Sequence, residues 1–285
     1  MGHRSKVLVT GAHGFTGRHL IAELTDNDYQ PFPLISNLLD REQVAAEILS
    51  LSPDYVVHLA ALSYSDSLAI QEIYQVNVSG SLNILEALSA LNVPPINVVL
   101  ASSATVYGNC GGVIDEQKMP APINHYGCSK VCMEYLSKNY IGKFPITVTR
   151  PFNYTGVGHG DKFVIPKIVK AYKNGKRVLD LGNLDVFREY NDVRDVNSTY
   201  RLLMESTVEW NLVNICSGQA VSLLEIIERM DNIAGYKMEI RVNPDFVRKN
   251  EISQLSGDPT KLISLGGLAP RYTIQDTLEW MYFHE

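Results

Sequence analysis

The sequence contains no apolar run long enough to cross a bilayer and no excess of basic residues. A membrane-spanning helix needs roughly 18 or more apolar residues, and no stretch of the 285 residues reaches that length. The chain passes from Met-Gly-His-Arg-Ser-Lys directly into an apolar strand pattern, so we expect no secretory signal and a cytoplasmic protein. The net charge of −6 offers no basic surface to nucleic acid or to an anionic membrane. We therefore expect neither as a partner.

Cysteine is also scarce. The four cysteines, Cys110, Cys128, Cys132 and Cys216, are too few and too scattered for a disulfide framework. Cys128 and Cys132 are interpreted as small buried side chains on one helix face, and we expect no metal site. Hydrophobic residues make up 45% of the chain and charged residues 20%, which is typical of a globular protein. The length predicts one or two domains.

Apolar strand patterns alternate with helical patterns through the first half of the chain. This alternation indicates βαβ units and predicts an α/β fold, a Rossmann-type doubly wound parallel sheet. A smaller C-terminal α/β lobe is expected to bind substrate. We predict a dinucleotide-binding domain over residues 1–157 and a lobe over 158–285, with residues 191–216 returning to the first domain. The predicted strands cover residues 6–10, 29–35, 53–61, 96–100, 146–150 and 213–216, and the predicted helices cover 18–24, 79–91, 126–141, 162–173 and 221–234.

The second strand is predicted to be an edge strand, which shortens the sheet on that side. Pro31 and Pro33 lie within it. Proline has no N–H to donate to a strand ladder, so it is tolerated at an edge and not in the middle of a sheet. A helix follows almost at once, with Asp40 as its N-cap and Gln43 in the capping-box position. No room remains for a further crossover and strand.

Gly11, Gly14 and Gly17 follow the first strand and open a helix. Glycines let such a turn approach a pyrophosphate, which accepts hydrogen bonds from the free N–H groups of the helix N-terminus. A plain strand-to-helix turn is the alternative, but the strand before and the helix after favour a dinucleotide site.

The choice of dinucleotide depends on an expected acidic residue that is missing. An NAD site usually has a carboxylate about 20 residues after the glycines, but Asn37 stands there and residues 29–39 contain no acid. Arg18 could instead bind a 2′-phosphate, although it could equally be a solvated helix charge. We therefore favour NADP(H) over NAD(H).

Tyr126 and Lys130 form a Y-x-x-x-K pair at the start of a predicted helix, one turn apart on one face. A nearby ammonium is expected to lower the pKa of the tyrosine, which can then exchange a proton while a nicotinamide transfers hydride. Ser103 ends a predicted strand 23 residues earlier, where ligands bind in such sheets.

With these motifs the chain resembles the extended short-chain dehydrogenases/reductases, in the NAD-dependent epimerase/dehydratase family. The matching segments are Thr10–Gly17, His58–Ala61, Asn77–Ser81, Ser102–Gly108, Tyr126–Lys130 and Arg150–Asn153. The resemblance implies that Ser103, Tyr126 and Lys130 form the catalytic triad. The cofactor-binding residues it implies are Gly11, His13, Gly14, Phe15, Thr16, Gly17, Arg18, Asn37, Leu38, Leu59, Ala60, Ala61, Asn77, Tyr126, Lys130 and Pro151. Asn37 replaces the family's aspartate.

The C-terminal half resembles a narrower subgroup, the GDP-mannose 4,6-dehydratases and GDP-4-keto-6-deoxymannose reductases. The segment from Gly182 to Asp195 is similar to their G-N-L-D-x-x-R-D stretch, which implies that Arg188 binds the diphosphate. A surface ion pair is the alternative role for Arg188 and Glu251. The substrate-binding residues implied are Ser63, Ser103, Ala104, Thr105, Asn153, Val164, Lys167, Arg188, Arg248 and Glu251.

The resemblance brings three reactions into question: dehydration, reduction and epimerisation of a nucleotide sugar. Dehydratases carry an acid and a glutamate where this chain has Ala104 and Thr105, which cannot act as carboxylic acids. We therefore expect a reductase that transfers hydride from NAD(P)H to C4 of a nucleotide-linked 4-keto-6-deoxyhexose, with GDP favoured. A UDP-hexose 4-epimerase with tightly bound NAD is the alternative. A non-catalytic NAD(P)-binding regulator is disfavoured because the tyrosine and the lysine are both present.

The helices predicted at 79–91 and 126–141 are expected to pair with their copies in a homodimeric four-helix bundle. The family likeness implies this arrangement, and the helical spacing of apolar side chains supports it. An alternative is that these faces only cover the sheet. The side chains concerned are Leu82, Leu85, Leu88, Cys132, Met133 and Leu136.

Overall fold

A computed structural model of the protein describes residues 4–63, 69–246, 253–267 and 270–284. None of the helices in these ranges is long and apolar enough to cross a membrane.

The strands are β1 (Lys6–Thr10), β2 (Gln30–Pro33), β3 (Tyr55–His58), β4 (Asn97–Ala101), β5 (Gly112–Ile114), β6 (Ile146–Pro151), β7 (Tyr154–Thr155), β8 (Val178–Leu181), β9 (Phe187–Glu189), β10 (Asn191–Asp192), β11 (Trp210–Ile215), β12 (Ala220–Ser222), β13 (Glu239–Val242) and β14 (Gln254–Gly257). The α-helices are α1 (Phe15–Asp26), α2 (Arg41–Leu51), α3 (Ile70–Tyr74), α4 (Ser81–Ser89), α5 (His125–Ser137), α6 (Val164–Lys173), α7 (Val193–Met204), α8 (Leu223–Ala234), α9 (Thr260–Ser264) and α10 (Ile274–His284).

The central sheet has six parallel strands in the order β11-β6-β4-β3-β1-β2. This confirms the predicted doubly wound Rossmann-type fold. The strand β2 pairs with β1 on one side and forms the sheet edge, where Pro31 and Pro33 are tolerated. The helix α2 then leads straight to β3, so the shortened edge is confirmed.

Several predicted elements differ from those observed. The helix expected over 79–91 is α4, preceded by a π-helical turn at Gln75–Gly80. The helix α5 ends at Ser137 and is followed by a 3₁₀ turn, Lys138–Tyr140. Asp40 caps α2 by accepting from the Gln43 N–H, but the Gln43 amide donates to the Asp40 carboxylate instead of completing a capping box.

The expectation that Cys128 and Cys132 are both buried is wrong. Cys132 is exposed and Cys128 is half-buried, because α5 turns Met133 and not Cys132 toward the sheet. All four cysteines are free.

Two apolar layers cover the central sheet. One layer joins α1 and α7 to one face, and the other joins α2, α4 and α5 to the opposite face. A separate apolar cluster joins α6, α8 and α10 to β8 in the C-terminal half. The strand β11 pairs with β6 along its whole length, so the chain returns to the central sheet after entering the second lobe. The boundary at residue 157 stays a prediction.

Truncation of a core leucine should destabilise the fold. Leu88 on α4 is completely buried, so Leu88→Ala should lower the free energy of unfolding by about 2–5 kcal/mol. Leu49 on α2 is 61% exposed, and Leu49→Ala should change it by less than about 0.5 kcal/mol. Urea unfolding of both variants measures the difference. Equal losses would contradict the assigned packing of α4.

Candidate active site

A cleft of about 1290 Å³ opens at the carboxyl ends of β1, β4 and β6. Ligands bind at this edge of open α/β sheets, because the strand-to-helix turns leave backbone groups facing solvent there. One side of the cleft is the central sheet with the start of α1, and the other is the loop 156–163 with α6 and β8.

The glycine turn brings the start of α1 close to β1. Gly11 has φ +69°, a conformation that L side chains rarely adopt, and a Cβ there would lie 2.9 Å from the Ala60 backbone. A Cβ on Gly17 would lie only 2.2 Å from the Gly11 carbonyl oxygen. Gly14 is the N-cap and provides no side-chain cap to the first turn of α1. The turn formed by Gly11, Gly14 and Gly17 is called the glycine cradle below. It fits a dinucleotide pyrophosphate, which would accept hydrogen bonds from the N–H groups in the first turn of α1.

The three predicted triad residues all line the cleft. Ser103 follows β4 and caps a short 3₁₀ turn, where its hydroxyl donates to the Thr105 hydroxyl at 2.9 Å and accepts from the Thr105 N–H at 3.1 Å. Asn124 caps α5 by accepting from the Gly127 N–H, so the helix begins just before Tyr126.

Lys130 is buried, and its ammonium donates to the Ala101 carbonyl at 2.6 Å. The ammonium nitrogen lies 5.9 Å from the centre of the Tyr126 ring. Burial lowers the pKa of Lys130 to about 8, and the nearby Glu134 carboxylate opposes that shift.

The expected lowering of the tyrosine pKa is not found. Burial is the largest influence and raises the pKa of Tyr126 above its usual range, and Tyr154 adds to the rise. A hydrogen bond with Ser103 acts in the opposite direction. The Lys130 ammonium donates to the Ala101 carbonyl. The phenol therefore stays protonated near neutral pH, which suits a proton donor.

Most of the remaining predicted cofactor and substrate residues line the same cleft. These are Gly11, Gly14, Phe15, Thr16, Gly17, Arg18, Leu59, Ala60, Ala61, Ser63, Pro151, Asn153, Val164, Lys167 and Arg188. Arg18 is exposed, and its guanidinium donates to the Gly158 carbonyl at 3.3 Å. Lys167 donates to the Asp180 carbonyl at 3.1 Å and lies over the Phe246 ring.

Six predicted residues do not line the cleft: His13, Asn37, Leu38, Asn77, Ala104 and Thr105. Asn37 is exposed, and its side chain accepts from the Leu39 N–H. Asn77 is buried. Its amide accepts from the Leu62 N–H and donates to the Leu62 carbonyl, so it fixes the loop after β3 without lining the cleft. Arg248 and Glu251 lie outside the described residues.

Sequence reasoning missed an aromatic group that links the two sides of the cleft. His159 stacks between Phe15 and Phe163, with ring centres 4.3 Å apart on each side. The Tyr154 hydroxyl shares a 2.8 Å hydrogen bond with the Thr16 hydroxyl. Burial lowers the pKa of His159 to about 4, so its ring is neutral near pH 7. The glycine-rich loop at 156–161 is visible in the sequence. Its partners Arg18 and His19 lie about 140 residues earlier in the chain, so no local pattern shows the contact.

No group of three or more His, Cys, Asp or Glu side chains in the described ranges is arranged to hold a metal ion.

The glycine cradle and the Ser–Tyr–Lys group define an NAD(P)-dependent oxidoreductase of the short-chain dehydrogenase/reductase type. The chain belongs to the NAD-dependent epimerase/dehydratase family, whose model matches residues 7–216.

Full-length relatives support this membership. The chain is 35% identical over 284 residues to GDP-6-deoxy-D-talose 4-dehydrogenase of Aggregatibacter actinomycetemcomitans, covering 97% of each protein. It is 32% identical over 290 residues to GDP-6-deoxy-D-mannose reductase of Pseudomonas aeruginosa, covering 96% of this chain and 94% of that protein. The structure of RMD from Pseudomonas aeruginosa complexed with NADPH superposes with a TM-score of 0.90 at 31% identity, covering 99% and 98% of the two chains.

Substitution in the glycine cradle should impair cofactor binding. Gly17→Ala forces a methyl group against the Gly11 carbonyl, so the Kd for NADPH should rise by more than about tenfold. Gly175→Ala is the control, because Gly175 lies outside the cleft and its φ of +65° makes a side chain unfavourable there too. Fluorescence titration with NADPH measures both. A similar Kd for the two variants would argue against pyrophosphate binding at this turn.

Proposed function

We propose that the protein is a reductase that transfers hydride from NADPH to C4 of a GDP-linked 4-keto-6-deoxyhexose. The observation that carries the proposal is that Ser103, Tyr126 and Lys130 all line one cleft with the glycine cradle and Arg188. Full-length similarity to two enzymes named for oxidation or reduction of GDP-6-deoxyhexoses supports it. The absence of a carboxylic acid at positions 104 and 105 argues against dehydration.

Each triad residue has a separate role in this proposal. When bound, NADPH supplies the hydride that adds to the C4 carbonyl carbon. Tyr126 donates its phenolic proton to the carbonyl oxygen, and Ser103 donates a hydrogen bond to the same oxygen. Lys130 stabilises the resulting phenolate and holds the nicotinamide ribose. Hydride and proton together convert the ketone into the secondary alcohol.

The substrate diphosphate is assigned to Arg188, because a guanidinium donates to two phosphate oxygens at once. Asn153, Val164 and Lys167 line the same cleft and are proposed to contact the sugar nucleotide. From the resemblance to the same subgroup, Arg248 and Glu251 are proposed to contact the diphosphate and the nucleotide ribose.

A nucleotide-sugar 4-epimerase is the second candidate. The segment Ser103–Gly108, which reads Ser-Ala-Thr-Val-Tyr-Gly, resembles that of UDP-glucose 4-epimerases. An epimerase keeps NAD bound and returns the hydride to its substrate, so it would interconvert sugars without net oxidation of added NADPH. A reductase oxidises one NADPH for each sugar reduced, and a regulator does neither.

Removal of the proton donor should lower turnover. Tyr126→Phe keeps the ring and removes only the hydroxyl, so kcat should fall by about 10²–10⁴-fold while KM stays nearly unchanged. Arg188→Ala is the contrasting variant and should chiefly raise KM through the lost diphosphate contact. NADPH oxidation with a GDP-linked 4-keto-6-deoxyhexose measures both. A near wild-type kcat for Tyr126→Phe would assign the proton to another group that lines the cleft.

Cofactor preference should depend on Arg18. No carboxylate stands in residues 29–39 to repel a 2′-phosphate, and Arg18 lines the cleft. NADPH should therefore give a higher kcat/KM than NADH, and Arg18→Ala should reduce this ratio by roughly tenfold. Steady-state kinetics with both cofactors measures the ratio. A higher kcat/KM with NADH, unchanged in Arg18→Ala, would contradict the preference.

The homodimer is also proposed, but the structure changes its basis. Leu85, Leu88 and Met133 are completely buried against the sheet, so they are not available to a partner. Leu82 and Leu136 are half-buried and Cys132 and Tyr135 are exposed, so these four side chains are the proposed contact surface.

Light scattering at micromolar concentration should give the mass of a dimer. Tyr135 is 54% exposed, so Tyr135→Asp should shift the mass toward the monomer by placing a charge in the interface. Phe283→Asp is the matched control, because Phe283 is 66% exposed on the distant helix α10. A monomeric wild type would refute the bundle, and a dimeric Tyr135→Asp protein would place the interface elsewhere.

A further inference from the structure

A buried carboxylate lies directly behind the triad. Glu134 is one helical turn beyond Lys130 on α5 and is almost completely buried. Its carboxylate accepts from the Ser102 hydroxyl at 2.5 Å and from two nitrogens of Arg150 at 2.9 and 2.6 Å. Neither Glu134 nor Arg150 lines the cleft. Glu134 is thus placed to act on the reaction only through other residues.

The contacts of Glu134 connect three elements that carry the site. Ser102 follows β4, Arg150 lies on β6, and Glu134 itself lies on α5. The Ser102 N–H also donates to the Thr149 carbonyl at 2.7 Å, which joins the same two strand ends through the backbone. Ala101 is held in turn by the Lys130 ammonium. The two residues before Ser103 are therefore tied to α5, one by Lys130 and one by Glu134.

The Glu134 carboxylate and the Arg150 guanidinium compensate each other's charge. Glu134 and Arg150 side chains are 5% and 3% exposed, and burying such a pair carries a desolvation cost that an apolar pair would avoid. Stability alone therefore gives a weak reason for its presence. Without the Glu134 carboxylate, the buried Arg150 guanidinium would lose its counter-charge, and the Lys130 ammonium would lose a carboxylate that favours its charged form. Since an opposite charge close by favours ionisation, Lys130 would then lose its proton more readily.

The other titratable groups that face Lys130 are His58 on β3 and Tyr126 on α5. Burial lowers the pKa of His58 to about 3, so its ring is neutral and shares hydrogen bonds with Thr10 and Ser81. Tyr126 is also neutral near pH 7, because burial raises its pKa. Of Glu134, His58 and Tyr126, only Glu134 is therefore a negatively charged side chain.

We propose that Glu134 is a positioning residue for the triad: through Ser102 it orients Ser103, and its own negative charge helps to keep Lys130 charged. The proposal rests on the proposed roles of Ser103 and Lys130. It assigns Glu134 no contact with substrate or cofactor.

The decisive variant is Glu134→Gln, which keeps the shape and removes the charge. We expect kcat to fall by roughly 10- to 100-fold, because small displacements of catalytic groups are costly, while KM for the sugar nucleotide changes less than about twofold. The alkaline limb of the pH–rate profile should move to lower pH by about half a unit or more, as Lys130 loses its counter-charge. A purely structural role would lower the amount of folded enzyme without moving the limb.

Two further variants separate charge from geometry. Glu134→Gln combined with Arg150→Gln removes the ion pair but also lacks the Glu134 charge, so its alkaline limb should coincide with that of Glu134→Gln. Ser102→Ala keeps the ion pair and should lower kcat without moving the limb. Circular dichroism and thermal melting establish the folded fraction of each protein. If Glu134→Gln does not fold, Ser102→Ala and Glu134→Asp still test the proposal, because the shorter carboxylate should preserve the limb.

A second readout is independent of the substrate. The affinity for NADPH, followed by its fluorescence from pH 6 to 10, should weaken as Lys130 deprotonates, and earlier on the pH scale in Glu134→Gln. If the wild type reduces no keto sugar but this shift is seen, the proposed function fails and the role of Glu134 stands. Coincident binding and rate profiles in wild type and Glu134→Gln would overturn the role of Glu134. An unchanged kcat in Ser102→Ala would also overturn its orienting part.

Discussion

The parallel alignment of β1, β4 and β6 in one sheet is the constraint on which the site depends. Parallel strands all end at the same edge, so the turn after each strand reaches the same cleft. The turn after β1 is the glycine cradle, the turn after β4 carries Ser103, and β6 ends at Pro151. The helix α5 packs on one face of the sheet, and its residues Tyr126 and Lys130 line the same cleft as Ser103. A change in strand order would separate these groups.

The C-terminal half completes the cleft through contacts that begin at β7. Tyr154 bonds Thr16, and His159 stacks on Phe15, so the loop 156–163 is attached to the start of α1. His19 and Arg18 bond the Val157 and Gly158 carbonyls of the same loop. Aromatic pairs of this kind contribute about 0.5–1.5 kcal/mol each beyond the area they bury. The width of the cofactor end of the cleft is therefore set by side chains from both halves.

Burial decides the protonation states in the site. Desolvation raises the pKa of Tyr126 and lowers that of Lys130 to about 8, since it penalises the charged form of each group. The buried Glu134 carboxylate limits the shift of Lys130. Spacing along a helix shows that a lysine is close to a tyrosine, but it does not show where the ammonium is directed. Here the ammonium binds the Ala101 carbonyl, and burial is the largest influence on the pKa of Tyr126 and raises it.

The sequence by itself determined the class of fold, the edge position of β2 and the family, because these follow from local patterns. Strand and helix periodicity, Pro31 and Pro33, and the three glycines each have a meaning within a few residues. Only the tertiary structure decided which side chains meet. The stack of Phe15, His159 and Phe163 and the cluster of Ser102, Glu134 and Arg150 join residues far apart in the chain. The burial of Leu85 and Leu88 against the sheet was likewise undecided by spacing, because an apolar helix face can cover either a sheet or a partner subunit.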